Sequence, residues 1–103
     1  MILYVAGPMT GLPDFNYPAF NAAADALRAK GHEVLNPVDA EALNLTGKPQ
    51  EWRWYMRRAI AMVVQADGLA MLPGWENSDG ARLEHTIGCA LKLDIHPVWW
   101  WTA

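Results

Sequence analysis

Ser78, Gly80, Glu84 and Gly88 form the spacing in this chain that most suggests chemistry. Residues four apart share one face of a helix, so Gly80, Glu84 and Gly88 make a stripe in which a carboxylate stands between two missing side chains. That stripe leaves room for a ligand. Each glycine inside a helix costs about 1 kcal/mol relative to alanine, a cost that a merely exposed glutamate beside a capping serine does not explain. Ser78 is placed to cap the helix, with Asp79 in its first turn. Free N–H groups and the positive end of the helix dipole suit a phosphate there, and the Ser78 hydroxyl adds a donor.

A second peculiar stretch is Gly7-Pro8-Met9-Thr10-Gly11, whose backbone amides can lie close to a ligand. It is neither a Walker nor a dinucleotide motif, and by itself it reads equally as a strand exit. Tyr4, just before it, can present a hydroxyl to the same region, where a buried tyrosine needs one hydrogen-bond partner. Trp75, Glu76 and Asn77 can stack on or bond to a ligand. His32, His85 and His96 are scattered, with no cysteine or carboxylate at ligand spacing, so neither a metal nor another cofactor is expected. Cys89 is expected in the core, on a helix that packs on the sheet.

The elements that must position these groups follow from hydrophobic periodicity. Ile2 to Ala6 is a short apolar run closed by Gly7-Pro8, which predicts a strand buried on both faces. Asn16 is set to cap a first helix from about Tyr17 to Lys30, ended by Gly31. His32 to Leu35, stopped by Asn36-Pro37, predicts a second strand. After an unpatterned loop from Val38 to Lys48, Pro49 opens a second helix running to about Gln65, with Trp52, Tyr55, Met56, Ala59, Ile60 and Val63 on one stripe. Asp67 to Leu72 predicts a third strand, the capped segment to about Leu93 a third helix, and Ile95 to Trp101 a last strand interrupted by Pro97. Alternating strands and helices imply a flavodoxin-like α/β three-layer sandwich with a four- to five-stranded parallel sheet in the order 2-1-3-4. In such a sheet ligands settle beyond the C-terminal ends of strands one and three, which are the two Gly/Pro loops.

Composition excludes several classes of function. A length of 103 residues predicts one domain spanning the chain. With 52% apolar and 18% charged residues, and no apolar run approaching the ~20 needed to span a bilayer, no membrane partner is expected. The first residues lack the basic region of a secretory signal and Cys89 has no internal partner, so a cytoplasmic setting is expected. A net charge of −3 with no basic cluster beyond Arg53, Arg57 and Arg58 speaks against a polynucleotide. Six tryptophans exceed what one small core hides easily, so some of Trp52, Trp54, Trp99, Trp100 and Trp101 are expected to meet a second subunit in a homodimer or larger homo-oligomer.

Over nearly its whole length the sequence also resembles a family. The stretches that carry the likeness are Tyr4-Val5-Ala6-Gly7-Pro8-Met9-Thr10-Gly11, Phe15-Asn16-Tyr17-Pro18-Ala19-Phe20, Gly31-His32-Glu33-Val34 with Asn36-Pro37, and Leu72-Pro73-Gly74-Trp75-Glu76-Asn77-Ser78 before Gly80-Ala81 and Glu84. They resemble the phage-borne DUF4406 proteins, relatives of nucleoside 2-deoxyribosyltransferases and 2'-deoxynucleoside 5'-phosphate N-hydrolases. The resemblance implies that Glu84 is a nucleophile taking C1' of a deoxyribose and releasing the base, as a carboxylate does in glycosidases. It further implies that Gly7 and Met9 line the sugar and that Ser78 and Gly80 hold a 5'-phosphate. The ligand would be a small nucleoside or nucleotide, and the setting the host cytoplasm if the protein is phage-encoded. Two positions depart from the pattern. The relatives commonly carry an aspartate where this chain has Ala59, and often a hydroxyl-bearing residue where it has Pro8. Loss of a general acid or base removes about 10²–10⁴ in rate, so a binding protein that sequesters a nucleotide or nucleotide-derived signal is the alternative.

Overall fold

A computed structural model describes residues 1–103. Strand β1 (Ile2–Ala6) has Leu3 to Ala6 wholly buried, as an apolar run without alternation requires of a strand covered on both faces. It is flanked by β2 (Glu33–Leu35) and β3 (Gly68–Met71), and β4 (Asp94–Pro97) lies beyond β3. All pairings are parallel and the order is β2-β1-β3-β4, the expected flavodoxin-like, Rossmann-like arrangement with four strands. Tyr4 stands opposite Leu35 on one side and Leu69 on the other.

Successive β1 side chains go to opposite faces. Leu3 and Val5 pack with Phe20, Ala23, Ala24 and Leu27 of α1 (Tyr17–Ala29) and with Trp101 of α4 (Val98–Thr102). Tyr4 and Ala6 face the opposite layer, joining Ala59 and Val63 of α2 (Trp52–Val63), together with Leu69 and Met71. The remaining α-helix, α3 (Asp79–Ala90), packs beside α2 on this second face. No helix is long and apolar enough to cross a membrane.

Several local expectations need correction. The last strand ends at Pro97, and Val98 to Thr102 turn into α4 instead of continuing to Trp101. The buried Trp101 anchors that turn, its Nε1 donating to the Leu69 carbonyl at 3.0 Å, so it belongs to this chain's own core and not to an exposed contact. Trp52, Trp99 and Trp100 are exposed. Asn16 does not cap α1 with its side chain: Asp14, Phe15 and Asn16 are all left-handed, and Asn16 Nδ2 instead donates to the Pro8 carbonyl at 3.0 Å. Pro49 precedes α2 without opening it, and a 3-10 stretch over Pro37–Leu43 takes up the first part of the unpatterned loop. Cys89 is exposed, contrary to its expected place in the core, because it lies away from the face that α3 turns to the sheet.

That inner face explains Gly88. A Cβ there would stand 2.6 Å from Leu69 Cδ1 and 3.2 Å from Ile95 Cδ1. The missing side chain lets α3 approach β3 and β4, so its room is taken by the sheet and not left for a ligand. Gly88→Ala should therefore lower stability by about 1–2 kcal/mol, because overpacking outweighs the gain in helix propensity. A urea midpoint at or above that of the parent would contradict this.

Candidate active site around Glu84

Glu84 and Tyr4 meet across the interface between α3 and the sheet. Tyr4 projects from β1 into the second layer with no exposed surface, and Glu84, in the second turn of α3, is 5% exposed. The Tyr4 hydroxyl donates to Glu84 Oε2. A phenol needs an acceptor when buried and a buried carboxylate needs a donor, so each satisfies the other. Burial pushes the Glu84 carboxyl up to about 7 from an ordinary 4.5, against the opposing pull of the Tyr4 hydrogen bond. Burial first, and then the charge and hydrogen bond of Glu84, hold the Tyr4 hydroxyl well above its ordinary range. The site thus holds a carboxyl group poised near neutrality, which suits proton transfer or nucleophilic attack.

The start of α3 is built as the sequence suggests. Ser78 is its N-cap in extended conformation, and Ser78 Oγ accepts from the Ala81 N–H at 3.2 Å. Asp79 in the first turn pairs with Arg82. Gly80 is half-buried, and a Cβ on it would lie 3.0 Å from Met56 Sδ and 3.7 Å from Trp52 Nε1. Its missing side chain therefore lets α2 come close, and what room remains is bounded by Met56.

The two Gly/Pro loops do converge at the C-terminal ends of β1 and β3. A Cβ on Gly7 would stand 2.7 Å from Leu72 Cβ, and Gly74, left-handed at φ 86°, lies beside the Pro8 ring. Within these loops the candidates separate. Trp75 packs against the cluster that contains Tyr4, whereas Met9 packs against the α1 and α4 cluster on the other face. Pro8 is half-buried, and Thr10, Gly11 and Asn77 are exposed. Ala59 is buried in the same apolar cluster as Tyr4, so α2 sends no carboxylate from this position toward Glu84. No group of three or more His, Cys, Asp or Glu side chains is arranged to hold a metal ion.

The structure gives His85 a partner that its spacing in the sequence does not suggest. Its ring is stacked on Trp75, with centroids 4.4 Å apart and planes 18° from parallel. Its position next to Glu84 was the available signal, but nothing in the spacing pairs it with a residue ten positions earlier. A groove of about 580 Å³ lies elsewhere, along α2 between Gln50, Trp54, Arg57 and Ala61. It contains no buried titratable group, so chemistry favours Glu84 over size.

No curated protein matches the sequence. The model of a domain of unknown function, DUF4406, matches residues 1–96, which include every candidate residue of the site. On that coverage, the chain belongs to the DUF4406 family.

Proposed function

We propose that the protein binds a deoxynucleoside or its 5'-monophosphate beyond the C-terminal ends of β1 and β3 and breaks the N-glycosidic bond, by hydrolysis or transfer, with Glu84 as nucleophile. The observation that carries this reading is the buried Glu84 carboxyl held near neutrality by its surroundings and oriented by Tyr4. A Glu84 carboxylate oxygen forms a bond to C1' as the bond from C1' to the base nitrogen breaks, and the base leaves with the electron pair and takes a proton from water. Water or a second acceptor then displaces the glycosyl group from Glu84. Tyr4, hydrogen-bonded to the carboxyl, is the residue that orients it. Ser78, at the head of α3, stands where helix N–H groups favour a phosphate. Since Glu84 is only 5% exposed, a ligand reaches it only if neighbouring residues move aside. Such a role belongs with the nucleotide pool of a cytoplasm, that of an infected host for a phage protein. The exposed Trp52, Trp99 and Trp100 suit a homo-oligomer.

Incubation with a panel of deoxynucleosides and their monophosphates should release free base, seen by chromatography, and Glu84→Gln should abolish the release. No release by the parent chain, or release undiminished in the variant, would defeat the reading. The apolar burial of Ala59 favours a second one, in which the same crevice holds an intact nucleotide without turnover. Recovery of unaltered ligand after prolonged incubation distinguishes it from the first.

A further inference from the structure

The groove of about 580 Å³ along α2 lies on the side of that helix opposite the buried Ala59. Arg53, Arg57 and Arg58 line it together with Trp54, Gln50 and Ala61. Three of the eight basic side chains of a chain with net charge −3 thus gather beside a single acid, Glu51. Arg53 pairs with that acid at 3.4 Å, but both side chains are exposed and the pair neutralises little. Arg57 and Arg58 have no carboxylate partner. Like charges one turn apart, as at Arg53 and Arg57, weaken a helix, and an anion in the groove reverses that cost. Two of the lining groups are also held in place. The Arg58 guanidinium lies on the Trp54 ring, its carbon 3.8 Å from the centroid, and Nη1 donates to the Trp54 carbonyl at 3.0 Å. An arginine anchored in this way keeps further N–H donors in a fixed plane. Gln50 Nε2 donates to Thr46 Oγ1 at 2.9 Å and to Asn44 Oδ1 at 3.3 Å, which fixes one end of the groove.

We propose that this groove binds a small polyphosphate, a ligand with two or more linked phosphate groups. Charge complementarity carries the inference, because guanidinium forks match phosphate oxygens in pairs and nothing in the chain neutralises Arg57 or Arg58. Arg53 and Arg57 start about 6 Å apart along the helix axis, so a chain of linked phosphates meets both where a single phosphate meets one. The volume lies within the ~300–1,000 Å³ of small-molecule sites, and Trp54 and Ala61 offer an apolar wall to the rest of the ligand. The inference goes beyond the proposed function and does not draw on it, since the layer that holds Ala59 and Tyr4 is on the other side of α2.

Isothermal titration of the full chain at low salt, with inorganic tripolyphosphate and separately with orthophosphate, tests this. Tripolyphosphate should bind once per chain, at least about tenfold more tightly than orthophosphate, and more weakly as salt is added. Arg57→Gln should weaken it about tenfold or more. Arg58→Lys keeps the charge but loses the planar fork on Trp54, and should weaken it as well. Lys30→Gln removes an equal charge at the exposed end of α1, away from the groove, and should change nothing. Absent binding at millimolar tripolyphosphate, equal affinity for orthophosphate, or equal losses in Lys30→Gln and Arg57→Gln would overturn the inference. So would unaltered binding in Arg57→Gln, which would put the anion elsewhere, as at the head of α3. A single-stranded oligonucleotide held by the same arginines more tightly than tripolyphosphate would also overturn it, by making the groove a nucleic-acid surface.

Discussion

Glu84→Gln is expected to be more stable than the parent chain by about 3 kcal/mol near pH 8 and to lose most of that advantage near pH 4. The direction follows from the folded-state carboxyl, raised from 4.5 to about 7 chiefly by burial. Below about pH 4.5 Glu84 is protonated in both the folded and the unfolded chain and contributes no difference. As pH rises toward 7 the unfolded chain releases its proton while the folded one retains it, so the parent loses stability across that window. Above about 7 the whole difference is lost, roughly 3 kcal/mol at about 1.4 kcal/mol per decade. Glutamine keeps the shape of the protonated acid and an oxygen that accepts from Tyr4, and it never ionises. Urea unfolding of both proteins at several pH values checks this. An equal stability difference at pH 4 and pH 8 would mean that the Glu84 carboxyl is not raised. A gain in stability together with loss of base release is what a site that keeps a reactive group under strain should show.

Much of the position of Glu84 was legible in the sequence, and little of its surroundings was. The unalternating run Leu3 to Ala6, the Gly/Pro stops after β1 and β3 and the capping serine of α3 are local signals, and the structure follows each of them. Parallel topology then brings the two loops together without any knowledge of side chains. The Tyr4–Glu84 hydrogen bond spans 80 positions and leaves no periodic trace. The glycines gave the right helix face for a partly wrong reason, since Gly88 makes room for Leu69 and Ile95. Val98-Trp99-Trp100-Trp101 reads as a strand from β-propensity, but a hydrogen bond from Trp101 to Leu69 and the apolar surface over α1 turn it into a helix. In each miss a tertiary contact overrode a local preference.

Ala59→Asp carries the other large expected effect, a loss of about 3–5 kcal/mol near pH 8, because it leaves an uncompensated charge in a buried apolar layer. Ala59 is 6% exposed and packs with Tyr4, Val63, Leu69 and Met71, none of which brings a cation. A carboxylate there also faces the same layer as Glu84, and two like charges in one layer raise each other's affinity for protons. The cost should shrink near pH 4, where the new side chain is neutral, while Ala59→Asn should cost about 1–3 kcal/mol at every pH. A pH-independent loss for Ala59→Asp equal to that of Ala59→Asn would show that the position is open to water. The same variant bears on the proposed function, because the family resemblance on which that reading draws implies an aspartate there. If a second carboxyl group is what protonates the leaving base, the folded fraction of Ala59→Asp should release base faster than the parent, by up to about 10²–10⁴. Faster release would identify Ala59 as the residue that slows turnover at an otherwise assembled site. An unchanged rate would mean that Glu84 and Tyr4 already supply what the reaction requires.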